Sequence, residues 1–136
     1  MSDCIFCKIV AGTVPCFKLF EDSETLAFMD INPVHDGHAL VIPKAHYPTV
    51  FDIAPEAIAA AARTAARVAR AVNGALRPDG INLIQANGPG AGQSVGHFHF
   101  HVLPRRLGDG VAINWEPKPG DMTRIAEVAE RIRAVL

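Results

Sequence analysis

Apolar and polar residues change rhythm several times along the chain, and each rhythm predicts an element. Strict alternation is clearest in "HFHFHVL", His97 to Leu103. Read as a strand, period two sends His97, His99 and His101 to one face and Phe98, Phe100 and Val102 to the other. Shorter apolar runs at 17–20 ("FKLF"), 25–30 ("TLAFMD"), 38–43 ("HALVIP") and 81–86 ("INLIQA") read as four more strands. The run at 81–86 pairs with the histidine strand as a hairpin around "NGPGAGQS" (87–94). Residues 55–76 instead follow helical spacing, with Pro55 at the start and Asn73-Gly74 as the stop. Arg63, Arg67 and Arg70 line up on that helix as a solvated face. A short helix is expected in 2–12, capped by Ser2 or Asp3 and stopped by Gly12. A final helix follows Asp121, with Ile125, Val128, Ile132 and Val135 as its apolar stripe. Three strands, a helix, a hairpin and a helix predict an α+β domain with a largely antiparallel sheet. No repeat or linker divides residues 1–136, so one domain is expected.

Composition narrows the classes. Hydrophobic residues make up 49% of the 136 and charged residues 20%, which is globular. A net charge of −1 supplies no basic field for bulk nucleic-acid binding. No apolar run reaches the roughly 20 residues that span a bilayer. The first twelve residues are too short and too charged for a secretory signal, so a cytoplasmic location is expected. There Cys4, Cys7 and Cys16 stay reduced, and Cys4 and Cys7 form a C-x-x-C pair suited to metal or redox chemistry. Cys16 is expected to be buried and receives no role.

The histidine face then needs an explanation. One reading makes the three rings hydrogen-bonded residues without chemistry. A second places one metal ion on all three, but three alternate strand residues span about 13 Å and converge poorly. A third splits them. Zinc takes four N or S ligands, Cys4 and Cys7 supply two, and His46 and His97 are suitable for the others. His99 and His101 are then free for a substrate. Beside them, "NGPGAGQS" is neither a P-loop nor a dinucleotide fingerprint, yet its glycines expose backbone N–H groups and Asn87, Gln93 and Ser94 add donors. Neutral imidazole beside an anion-binding turn suits nucleotidyl or phosphoryl chemistry.

Three stretches carry a family resemblance: "CIFCKIVAGTVP", "AFMDINPVHDGHALVIPKAH" and "GQSVGHFHFHVLPR". Together they resemble the histidine triad (HIT) superfamily, whose pattern is His-φ-His-φ-His-φ-φ. The resemblance implies a five-stranded, mainly antiparallel sheet with two main helices, usually in a homodimer. It implies that His99 is the nucleophile, His101 a phosphate contact and His38 the upstream histidine near the nucleophile. Asp30 and Ile31 match nucleoside positions, and Asn87, Gly92, Gln93 and Ser94 match phosphate-side positions. In members with the early C-x-x-C, a structural zinc is held by the residues that correspond here to Cys4, Cys7, His46 and His97. The implied activity is hydrolysis of a purine nucleotide phosphoramidate or dinucleoside polyphosphate, AMP- or GMP-containing, through a nucleotidyl-histidine, with no redox cofactor. "GQSV" resembles the Hint-like branch and "VLPRRLGD" the dinucleoside-polyphosphate hydrolases; Trp115 does not stand where a Hint-like tryptophan is expected. The rival expectations are a nucleotide-binding regulator with incidental turnover and a metal-dependent oxygenase built on H-x-H.

Overall fold

The computed structural model describes residues 3–113 and 118–136. Five strands form one sheet in the order β1-β2-β3-β5-β4: β1 (Lys18–Glu21), β2 (Thr25–Met29), β3 (Ala39–Pro43), β4 (Gly80–Gln85) and β5 (Phe100–Arg105). Every neighbouring pair is antiparallel. The α+β fold with a mainly antiparallel sheet is the expected one, and all five strands lie within a residue or three of their predicted bounds. The largest shift is in the histidine strand. Pairing begins only at Phe100, so His97 and His99 stand in irregular chain just before it, His97 in a bend. There Phe98 donates its N–H to the Tyr47 carbonyl at 2.6 Å instead of to a strand.

The sheet has two differently covered faces. On one lies α2 (Pro55–Leu76), whose small residues Ala61, Ala65 and Val68 let it approach Ala27, Ala39, Val41 and Val102 closely. Thr64 on α2 and Thr25 on β2, both buried, join their hydroxyls at 2.7 Å, so neither polar group is stranded in the core. On the other face α1 (Ile5–Val10) sets Phe6 among Leu26, Phe28, Leu40 and Ile42. Alternation persists through the irregular start of the histidine segment. Phe98 and Phe100 meet edge to face at 5.4 Å on the α2 side, and His99 and His101 meet at 4.8 Å on the α1 side.

Two expected helix ends and one helix face are corrected. The cap of α1 is Cys4, whose Sγ accepts from the Cys7 N–H, and not Asp3; Ser2 lies outside the described residues. Asn73-Gly74 does not stop α2, which runs to Leu76 and ends at Arg77 in the left-handed region (φ 48°), before Pro78. Arg106 then donates to the Leu76 and Arg77 carbonyls that the helix leaves open. The final helix α3 (Met122–Arg133) starts at Asp121 as expected, but its apolar stripe is not core: none of the helix's residues is buried, and Ile125 and Ile132 are exposed. Among the described residues no helix is long and apolar enough to cross a membrane.

Candidate active site and metal cluster

Two side-chain clusters grow from the α1 side of the sheet. The first gathers Cys4 and Cys7 from the start of α1, His46 from beyond β3 and His97 from before β5. Their donor atoms all lie within 4.8 Å of one another. His97 Nε2 donates to the Pro43 carbonyl at 2.8 Å, so its proton is there and Nδ1 presents a lone pair. That lone pair faces Cys4 Sγ at 3.5 Å and Cys7 Sγ at 3.6 Å, while His46 Nδ1 stands 3.3 Å from Cys7 Sγ. A tetrahedral ion with metal–sulfur about 2.3 Å and metal–nitrogen about 2.0 Å separates S and N by about 3.5 Å. The spacing therefore fits a metal ion. The second shell fits too, since a ligating imidazole ordinarily donates its other N–H to a carbonyl. Burial first, then Cys4, pushes the Cys7 thiol up when no cation is at hand.

The second cluster faces a cavity of about 510 Å³, within the roughly 300–1,000 Å³ usual for small-ligand sites. Ile5, Phe6 and Ile9 of α1, with Val14, Pro15 and Phe28, form its apolar wall; Asp30, His38, Ser94, His99 and His101 form its polar end. His99 is buried, and its Nδ1 donates to the His97 carbonyl at 2.7 Å. That leaves the lone pair on Nε2 of a ring that lines the cavity. Phe6 holds the same ring edge to face at 5.3 Å.

His38 and His101 are ordered by a chain of hydrogen bonds. The Val34 N–H donates to His38 Nδ1 at 3.1 Å, which puts the His38 proton on Nε2. Nε2 donates to His101 Nδ1 at 2.9 Å, which in turn leaves the His101 proton on its own Nε2. Asp30 Oδ2 stands 3.5 Å from His38 Nε2. Burial is the main cause that lowers His38, His99 and His101; the neighbouring His99 and His38 help push His101 down to about 4. All three rings are neutral at pH 7. Asp30, His38 and His101 also lie close enough together to suggest a metal. The Val34 N–H argues against one, because a metal on His38 Nε2 would leave two N–H groups facing each other at Nδ1.

The fold thus divides the triad. His97 belongs with the thiols, His101 with His38, and His99 with neither. Among the sequence-predicted site residues, Asp30, Ile31, His38, Ser94, His99 and His101 line the cavity. Asn87, Gly92 and Gln93 are not among its lining. Gln93 accepts from Gly88 N and donates to the Pro48 and Val95 carbonyls, bracing the glycine-rich turn. Asn87 accepts from Val50 N and exchanges hydrogen bonds with Gln85. Gly92 ends a short 3-10 turn, Pro89–Ala91, at φ +78°. Cys16 is half-buried and lines the cavity, where burial without a role was expected. No local pattern marked it, since a lone cysteine after a proline carries no periodic signal. Trp115 lies outside the described residues.

A five-stranded antiparallel sheet with three alternating histidines, two of them lining a cavity and one set among thiols, defines the class. The HIT domain family matches residues 11–108, and the chain belongs to that family. The adenosine 5'-monophosphoramidase HNT1 of Saccharomyces cerevisiae is 38% identical over 98% of this chain and 82% of its own length. Among solved structures, SMU.412c from Streptococcus mutans superposes with a TM-score of 0.93 at 40% identity, covering 98% of this chain and 85% of that one. A zinc-bound histidine triad family protein from Mycobacterium smegmatis superposes with a TM-score of 0.77 at 38% identity, covering 98% of both chains.

Proposed function

We propose that this protein hydrolyses a purine nucleotide phosphoramidate, or a dinucleoside polyphosphate, at the α-phosphorus through a covalent nucleotidyl-His99. The observation that carries the reading is the Nδ1–H bond from His99 to the His97 carbonyl, which leaves the lone pair on Nε2 of a neutral ring that lines the cavity. The base rests against Ile5, Phe6, Ile9 and Phe28, and Asp30 and Ile31 stand at the nucleoside. Nε2 attacks phosphorus, a P–N bond forms and the bond to the leaving amine or phosphate breaks, the amine taking a proton from solvent as it leaves. The Nε2–H of His101 and the Ser94 hydroxyl meet the charge that develops on the phosphoryl oxygens. Water then attacks the same phosphorus, the P–N bond breaks, and the nucleoside monophosphate departs with His99 neutral again. Asn87, Gly92 and Gln93 act by shaping the turn that carries Ser94. The phosphoramidase name of the 38%-identical yeast relative supports the first substrate class.

We place a zinc ion on Cys4, Cys7, His46 and His97, where it supplies structure and no step of the reaction. Four protein ligands close the site. The chain's own contribution is to hold α1, and so the apolar wall, against the sheet. The unburied stripe of α3 and the exposed Leu83 on edge strand β4 support a homodimer. Reduced thiols at the metal fit a cytoplasmic setting.

Steady-state hydrolysis of adenosine and guanosine phosphoramidates and of a dinucleoside polyphosphate tests the function. Release of nucleoside monophosphate from at least one supports it. Tight nucleotide binding with no turnover of any would make the protein a binding regulator instead.

A further inference from the structure

The segment from Asp30 to His38 carries three polar residues of the cavity lining, Asp30, Asn32 and His38, and has no regular structure. It is closed on itself by Asn32 N donating to Asp30 Oδ1 (2.8 Å), His38 N to the His35 carbonyl (3.1 Å) and Asp30 N to the His38 carbonyl (3.0 Å). At its turn, Gly37 adopts φ +90° against Leu76 and Pro104, where a Cβ would collide with Leu76. The backbone of His38 is set against β5 by the ladder that follows it, in which Ala39 pairs with Val102. The loop before it lies outside that ladder, and two polar contacts tie its side chains to β5 and what β5 carries. One is the His38 to His101 hydrogen bond. The other places His35 Nε2 3.1 Å from Asp109 Oδ2, one residue after the Val34 N–H that holds His38 Nδ1.

Asp109 is itself tied to β5. Arg105 grips both its carboxylate oxygens at 2.8 and 2.9 Å, and the N–H groups of Arg106 and Val111 add 3.0 Å bonds. Arg105 and the backbone donors hold the Asp109 carboxyl far below the usual carboxylate range, so it is a fixed negative charge. Arg105 follows His101 by four positions, an even offset that puts both on one face of the strand. The loop therefore meets the same face of β5 at two rungs, His38 on His101 and His35 on the Arg105–Asp109 pair.

We infer that His35 is a positioning residue: through Asp109 it holds the 30–38 loop so that His38 keeps His101 with its Nε2–H directed at the phosphate. The inference rests on the proposed role of His101 as phosphate donor. His35 touches neither substrate nor reacting atoms. Its Nε2 is buried and lacks a well-directed hydrogen bond, so the contact is one of charge and dipole. A lone pair there would be repelled by the carboxylate, so the proton sits on Nε2. Without the ring, the loop keeps its internal turn but loses the second rung, so the neighbouring Val34 N–H can draw away from His38 Nδ1 and let that ring tilt.

The test uses the full-length, zinc-loaded protein with His35→Ala and His35→Gln. It combines hydrolysis of an adenosine phosphoramidate with nitrogen-detected NMR of the histidine tautomers in the absence of substrate. His35→Ala should lower kcat by roughly tenfold to a hundredfold, the scale of a misplacement near 1 Å, with KM little changed. It should also shift or broaden the His38–His101 hydrogen-bonded proton. The Gln variant, whose amide nitrogen reaches where Nε2 stands, should restore most of both. Adding His35→Ala to Asp109→Asn should change little further. Parent-like kcat and an unmoved His38–His101 proton in His35→Ala would overturn the inference, as would Gln behaving like Ala. If the parent protein turns over nothing, the functional reading falls, and the tautomer signals still decide whether His35 holds His38.

Discussion

The two histidine clusters sit side by side on one face of one sheet, and they differ in where their protons are. In the thiol cluster, the Pro43 carbonyl takes the His97 Nε2 proton and turns a lone pair toward two sulfurs. In the cavity, the Val34 N–H takes the His38 Nδ1 lone pair and turns a proton outward, and His101 passes that polarity on. The first cluster offers electron pairs and suits a cation. The second offers a proton at His101 and suits an anion. His99 stands between them, tied to the backbone of a residue in the first and in ring contact with a residue of the second. One residue type thus takes three proton arrangements, set by the Pro43 carbonyl at His97, the His97 carbonyl at His99 and the His38 ring at His101.

If that division is right, removing the free ring has the largest effect. His99→Ala should lose hydrolysis by on the order of 10⁴ or more, the scale for deleting a nucleophile, while metal content and nucleotide binding persist. Retained turnover would merge the two clusters into something less divided. Next comes the thiol side. Cys4→Ser with Cys7→Ser should abolish bound zinc and lower the melting temperature markedly, because structural zinc contributes folding energy directly. The loss should fall short of complete unfolding, since Phe6 and the α2 face retain their own cores. Metal analysis beside thermal melts measures both, and undiminished zinc in the double variant would rule out this ligand set.

Replacing the donor should cost less than replacing the nucleophile. His101→Ala should lower kcat by roughly 10²–10³, the usual cost of one charge-stabilising donor. A loss as deep as that of His99→Ala would assign the two rings a single role.

The smallest effect is on pH. His38, His99 and His101 are depressed below the ordinary 6.5 by burial, His101 to about 4. The unfolded chain therefore binds more protons than the folded one as pH falls. Stability from these rings is complete above about 6.5 and is lost progressively toward 4. Activity should likewise hold to below 6.5 on the acid side, since Nε2 of His99 must be unprotonated. A kcat/KM profile already falling above 6.5 would place the proton elsewhere.

Much of this arrangement was legible in the sequence because it follows from period and spacing. Alternation in "HFHFHVL" separated ring faces even though pairing starts only at Phe100. Ligand counting from C-x-x-C reached the four residues that the fold assembles. The illegible parts depend on backbone groups brought in from afar. Nothing local indicates that the Val34 N–H or the Pro43 carbonyl will meet a particular imidazole, or that Gln93 will spend its amide on Pro48 and Val95. The end of α2 was misplaced for a related reason. Helical packing on the sheet outweighs the roughly 1 kcal/mol that Gly74 costs in a helix interior, and Pro78 enforces the stop instead. The stripe of α3 reads as core in sequence but is left unburied in the fold.

The central claim is that His99 alone forms the covalent bond. Rapid quench of the parent protein with phosphorus-labelled adenosine phosphoramidate, followed by digestion and mass spectrometry, tests it directly. The account predicts a mass increment of one nucleoside monophosphate on the peptide containing His99, on that ring, appearing before free product and absent from His99→Ala. Label on His101, His38 or Cys16, or product released without any labelled protein under conditions that trap acid-labile phosphoramidates, would contradict it.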